Sequence, residues 1–298
     1  MRYTGTTYRP PLEASSLLLQ VTSGCSHNKC NFCTMYKDVH FSVEPMEQIE
    51  EDLKEAAEFY PYVSRIFLEN GDPFVLSAAK LLEIAALIHK YLHNIKTISM
   101  YASILNVSTK TDDELKQLRE AGINDLNIGV ENGNDEALAY MQKGYTADEA
   151  IKQLARLKNA GFDYGINVIF GGLGGKRYKE CADDTAELLN KAQPAFIYTN
   201  TMHSEPGCSL HDDLLSGKFI ESTVEEYLLE EEQLIEKLDL KNTTFMGVHP
   251  SNILPLRGKL PRDKELFLEK LESCRKRTKE NILYAPPKHG NEGGVVLA

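Results

Sequence analysis

Three cysteines fall within nine residues near the start of the chain, in the run Gly24-Cys25-Ser26-His27-Asn28-Lys29-Cys30-Asn31-Phe32-Cys33. No other feature restricts the protein as sharply. A loop this short can wrap its sulfurs around one metal centre, and three thiolates leave one coordination position open for chemistry. An iron–sulfur cube takes Cys thiolates as ligands. A structural zinc site wants a fourth ligand, and His27 or His40 could complete a Cys3His set. Cys181, Cys208 and Cys274 stand alone, without a C-x-x-C partner, and read as ordinary buried or surface thiols.

The apolar pattern places this loop directly after a first strand. Leu17-Leu18-Leu19-Gln20-Val21 is a short buried run, and Pro45 then opens a helix to Phe59. Strands are expected at 65–69, 97–101, 125–130, 164–170 and 196–199. Helices are expected at 77–91, 111–121, 135–141, 146–160 and 180–191, with Thr111 as a cap and Gly122 and Gly161 as stops. Six strand–helix repeats in a row predict an α/β fold with a parallel sheet. Right-handed crossovers would curl it into a partial (β/α)6 TIM-like barrel. Past strand six the pattern weakens to two helices, at 223–238 and 262–278. The expected organisation is a core domain over 1–215 and a C-terminal helical extension over 216–298, its tail, with Pro286-Pro287 and Gly290 to Gly294, loosely attached.

Charge and composition exclude some functions. Lys plus Arg number 33 against 44 Asp plus Glu, a formal charge of −11, which repels phosphate backbones and disfavours nucleic-acid partners. The most basic stretch, Lys270 to Lys279, contains Glu272 and is flanked by Glu269 and Glu280, and reads as a solvated helix face. No apolar run approaches a membrane span, and Met1 to Leu12 lacks a secretory pattern. The expectation is a cytoplasmic protein acting on a small molecule.

Cys30-Asn31-Phe32-Cys33, with Cys25 upstream, resembles the cysteine motif of radical S-adenosylmethionine enzymes, the aromatic Phe32 included; the first gap is four residues where three is usual. The resemblance implies a barrel of radical SAM type. It makes Cys25, Cys30 and Cys33 the ligands of a 4Fe–4S cluster whose fourth iron chelates S-adenosylmethionine. It also implies reductive cleavage to a 5′-deoxyadenosyl radical and a flavodoxin or ferredoxin as reductant. Asn70-Gly71-Asp72-Pro73, after strand two, is similar to the family's segment that receives the methionine ammonium, with Asp72 where Glu is common. Gly129-Val130-Glu131-Asn132-Gly133 resembles the coproporphyrinogen dehydrogenase and Elongator branch, as does Met141-Gln142-Lys143-Gly144. There Glu131 would accept from the cofactor's ammonium or ribose, or else serve as a cap or surface ion pair.

Strand five resembles the family's adenine- and ribose-contacting strand, with Asn167 as its polar group, followed by a Gly171–Gly175 turn that permits close backbone approach. Ser103 and Arg156 are candidates for the methionine carboxylate. Tyr198, Asn200, His203 and Glu205 follow strand six, and the segment carrying His249 would return over the same opening, as candidate substrate contacts. Without an evident RNA-binding or second-cluster region, the chain resembles small stand-alone members such as queuine lyase. Modification of tRNA or of a tetrapyrrole, or a metal-binding scaffold or sensor, are the alternatives.

Overall fold

The structure, a computed structural model, describes residues 1–279; the tail with Pro286-Pro287 lies outside the described residues. The chain divides into two compact units. The first holds residues 1–28, 35–129 and 152–164. Strand β1 (Leu17–Gln20) leads into β2 (Thr22–Ser23), which pairs antiparallel with β3 (Ser42–Val43) and so closes the two ends of the cysteine segment. There follow α1 (Met46–Phe59), β4 (Arg65–Glu69), α2 (Ala78–Tyr91), β5 (Thr97–Ala102), α3 (Ile104–Ser108), α4 (Asp112–Glu120) and β6 (Ile123–Glu131). Helical crossovers make the neighbours parallel in the order β1-β4-β5-β6. These strands are buried along most of their length, which is why they read as continuous apolar runs instead of alternating ones. Ser77 caps α2, and Thr111 with Glu114 forms a capping box on α4.

The second unit holds residues 29–34, 130–151 and the chain from Gly165 onward, so the last two residues of β6 belong to it. Its elements are α5 (Asp135–Tyr140), α6 (Ala147–Asn159, which ends in the first unit), β7 (Tyr164–Phe170), α7 (Tyr178–Ala192), β8 (Phe196–Thr201), α8 (Ser209–Leu215), α9 (Val224–Lys237), β9 (Thr243–Gly247), β10 (Leu256–Leu260) and α10 (Lys264–Lys279). The order β7-β8-β9-β10 is parallel until β10, which turns back antiparallel. The region after residue 215 therefore carries two strands besides its two long helices. The six core strands expected from sequence are all present, each bound within two residues of the expected one.

Helix α9 buries two adjacent carboxylates. Glu230 accepts a hydrogen bond from Gly171 N–H at 2.9 Å, whereas Glu231 Oε1 has no hydrogen-bond partner. Burial pushes both carboxyls up to about 8. In the unfolded chain they would ionise near pH ~4. The folded state thus binds more protons at these two groups between those values, and their contribution to stability is full below about pH 4 and is lost as pH rises to about 8. In denaturant titrations of metal-free protein at pH 5.5 and 7.5, the wild type should lose about 2–3 kcal/mol per pH unit from these two groups. The Glu230→Gln, Glu231→Gln double variant should lose much less; equal slopes would show that neither carboxyl is neutral in the fold.

Candidate active site

The residues after β4 and the cysteine segment are built against each other within the first unit. Gly71 N–H donates to Gly24 O at 2.9 Å, and Gly24 N–H donates to Asn70 Oδ1 at 3.1 Å. Asp72, almost fully buried, accepts at one oxygen from Ser26 N–H (2.9 Å) and at the other from Ser26 Oγ (2.5 Å). Asn106 Nδ2 reaches that second oxygen at 3.5 Å. A Cβ on Gly71 would lie 2.5 Å from Cys25 Cβ and 2.8 Å from its Cα. Only a glycine lets the two backbones approach so closely. The Asn70-Gly71-Asp72 turn therefore fixes where Cys25 stands. Asn70 adopts a left-handed φ of 80°, and Pro73, buried, opens a short 3-10 turn.

The other two cysteines belong to the second unit. Cys33 N–H donates to Cys30 O at 3.4 Å, and Asn31 between them is anchored through its N–H to Met141 O and its carbonyl to Leu210 N–H. All three cysteine residues, and Phe32, are half-buried, and none of the three is in a disulfide. At the end of β6, Glu131 stands at φ 74°, a left-handed conformation that costs a non-glycine residue about 1–3 kcal/mol and persists where its surroundings fix it. Its carboxylate pairs with Lys143 Nζ at 2.9 Å, each side chain only 9% exposed. Lys143 gets there because Gln142 (φ 59°) and Gly144 (φ 79°) wind the chain back after α5. Burial would pull the Lys143 ammonium down, but Glu131, Tyr145 and Cys30 together raise it well above the ordinary lysine value. Lys143, named above only as part of a resemblance, is thus a buried cation within electrostatic reach of Cys30. Asn132 is buried beside it, its Oδ1 accepting from Asn134 N–H at 2.9 Å.

The remaining candidates fare differently. Ser103 caps α3: its Oγ accepts from Asn106 N–H, and its N–H donates to Asn106 Oδ1. The guanidinium of Arg156 is engaged by Asp112 (2.6 Å), Gln153 (2.6 Å) and the carbonyls of Val107 and Lys110, because α6 lays it across the junction of α3 and α4. Asn167 is the one half-buried residue on an otherwise buried β7 and sits in register with Tyr198, whose ring packs on Gly165. Asn200 is half-buried on β8. The loop after β9 returns to β8: Ser251 Oγ accepts from Thr201 N–H, and Asn252 Nδ2 donates to Thr199 O at 2.7 Å. It brings His249 close enough to His203 for the two to repel one another's protons. Cys181 and Cys208 are buried and Cys274 half-buried, as isolated thiols should be.

Among the described residues, no three Cys, His, Asp or Glu side chains are gathered tightly enough to hold a single metal ion. A cube carries its thiolates on separate irons, so its ligands stand farther apart than those of one ion. Three half-buried cysteines, none in a disulfide, have the donor chemistry of such a cluster. Among the described residues no helix is long and apolar enough to cross a membrane.

The chain belongs to the radical SAM superfamily, which matches residues 19–189. It is 25% identical over 154 residues to the heme chaperone HemW of Bacillus subtilis (strain 168), covering 49% of this chain and 40% of that protein. To HemW of Lactococcus lactis it is 25% identical over 173 residues, covering 57% and 45%. The chain thus spans less than half the length of these curated relatives. Among solved structures, the methylornithine synthase PylB superposes with a TM-score of 0.51 at 16% identity, covering 90% of this chain and 85% of that one. The cobalamin-dependent radical enzyme OxsB gives 0.58 at 15%, covering 89% and 46%. At such identities the likeness is one of fold, and it agrees with the α/β core described above. The cofactors of the superfamily are a 4Fe–4S cluster and S-adenosylmethionine.

Proposed function

We propose that the chain is a radical enzyme that binds a 4Fe–4S cluster through Cys25, Cys30 and Cys33 and acts on a small polar substrate. The observation that carries this reading is the close approach of Gly71 to Cys25, which ties the segment expected to receive S-adenosylmethionine to the first ligand of the cluster. When bound, cluster and cofactor supply reductive cleavage of a sulfonium C–S bond and hence hydrogen abstraction from substrate. The protein's own part is to hold and orient. Asp72 and Asn70 set the cysteine segment, Glu131 and Asn132 stand at the end of β6 to accept cofactor hydroxyls or ammonium, and Asn167 offers the polar group on β7. In this proposal residues 1–215 form the core and residues 216–298 the extension, in a cytoplasmic protein reduced by a flavodoxin or ferredoxin.

Lyase chemistry on queuine is the finer reading, and queuine is the first compound to test. A second reading, handling of a tetrapyrrole, is favoured by the likeness to relatives named heme chaperones. Modification of tRNA is opposed by the charge of −11. Anaerobic reconstitution with iron and sulfide should give 4Fe–4S absorbance, and addition of dithionite and S-adenosylmethionine should release 5′-deoxyadenosine. Queuine should raise that rate, whereas hemin binding would favour the second reading. A preparation that takes up zinc in preference to iron and cleaves no cofactor would sink the first.

A further inference from the structure

The loops after β8 and β9 and the end of the cysteine segment bring together side chains that the cluster and its cofactor leave unused. Thr34 Oγ1, one residue beyond Cys33, donates to Glu205 Oε2 at 2.5 Å. The other oxygen of Glu205 lies 3.7 Å from His203 Nε2, too long for a direct hydrogen bond. A carboxylate offers about four acceptor sites, so this one retains capacity after Thr34. Both side chains are partly open, 32% for Glu205 and 23% for His203. His249 arrives from the loop after β9, its Nδ1 2.7 Å from Ser251 Oγ.

Charge narrows what could sit here. Between 196 and 210 and between 243 and 255, Glu205 is the sole side chain among Asp, Glu, Lys and Arg. Desolvation of its ring and the neighbouring His203 hold the His249 imidazole below the ordinary histidine value. These loops therefore supply one anion, two imidazoles and hydroxyls, with no Lys or Arg to neutralise a phosphate or carboxylate. An anionic ligand would face an uncompensated negative charge, whereas an amine would meet a positioned acceptor.

We infer that Glu205, held by Thr34 and flanked by His203 and His249, is a substrate-recognition group for an uncharged or cationic nitrogen compound that presents N–H donors, such as an amino-substituted heterocycle or amidine. This inference rests on the radical-enzyme reading and names the substrate class for it. Thr34 couples the carboxylate to the cysteine segment, so a substrate gripped by Glu205 is registered against the loop that carries Cys33. The cost of replacing a donor edge is steep, because a site built to hydrogen-bond an amino group leaves its own polar group unpaired when the analogue lacks one.

The test uses the reconstituted holoprotein with S-adenosylmethionine and calorimetric binding of paired probes: guanine with hypoxanthine, 2,4-diaminopyrimidine with uracil, benzamidine with benzoate, and guanosine with its 5′-phosphate. At least one amino or amidine probe should bind, about 10-fold or more tighter than its des-amino or anionic partner, as expected for hydrogen bonds to a charged group. Glu205→Gln should erase that preference, and Thr34→Val should weaken it several-fold with the fold intact by circular dichroism. Preference for the anionic or des-amino member, indifference to both variants, or no binding by any amino probe would overturn the assignment. Failure of the radical reading would look different: no cluster and no cofactor cleavage in the wild type.

Discussion

Gly71→Ala should abolish most cluster binding while leaving the rest of the protein folded. The new methyl group would sit 2.5 Å from Cys25 Cβ, 2.8 Å from Cys25 Cα and 2.8 Å from Gly24 O, and two of these three neighbours are backbone atoms. They cannot swing aside as the tip of a lysine could. Nor can Gly24 yield easily: its own φ is 68°, and its Cβ position is closed by Val39 O at 2.7 Å. The turn at Asn70–Asp72 is likewise tied down by Ser26 and by the buried Asp72. The strain must therefore be relieved by moving Cys25, the one element of the group that carries chemistry. Overpacking of this kind costs about 1–3 kcal/mol, and every ~1.4 kcal/mol is tenfold in affinity. Iron retained after anaerobic reconstitution and desalting should fall about 10-fold or more, with far-ultraviolet circular dichroism unchanged. Gly175→Ala is the control, since its Cβ would meet nothing closer than 3.4 Å. Equal iron in both variants would mean that the turn does not position Cys25.

The parts of this site that sequence made legible are those whose physics is local. Three thiols in nine residues need no fold to be noticed. The strand before them, a strand stopped at Asn70-Gly71-Asp72-Pro73, and helices with a Thr111 cap or a Gly161 stop each obey rules read within a few residues. What escaped depends on contacts across long stretches of chain. Lys143 lies between turn residues, where a lysine is ordinarily solvated, and nothing near it signals that Glu131, twelve positions upstream, will bury it. Glu205 stands among the candidate substrate contacts after strand six, but its bond to Thr34 joins positions 171 residues apart. The partners of Arg156 at residues 107, 110 and 112 lie around the end of α3 and the start of α4, and α3 is too short to declare itself by periodicity. Strands β9 and β10 lie where only helices are expected from the sequence. In β10, Gly258 is required because a Cβ would strike Phe267 at 2.7 Å and the Asp263 carboxylate at 2.5 Å.

Lys143→Met should be the most destabilising single change at the site, by about 3–5 kcal/mol in the metal-free protein. The variant keeps the volume of the side chain and removes its charge, leaving the Glu131 carboxylate buried without its counterion. Glu131 cannot turn out to water cheaply, because its backbone is held at φ 74° between β6 and the Asn132–Asn134 turn. Adding Glu131→Gln to Lys143→Met should restore much of the loss, since a neutral pair no longer carries an uncompensated charge. Urea titration of the four proteins closes that cycle. Lys143 is also within electrostatic reach of Cys30, and this gives a second readout that packing alone would not move. As found, the pair is neutral overall. Lys143→Met turns it net negative, which should favour the oxidised cluster and lower its midpoint potential; Glu131→Gln turns it net positive and should raise it. Opposite shifts in spectroelectrochemical titration, with the double variant between them, are the expected result. Shifts of one sign in both single variants would mean that altered solvent access or ligand geometry governs the potential, and that Lys143 and Glu131 are a structural pair with no electrostatic hold on the metal centre.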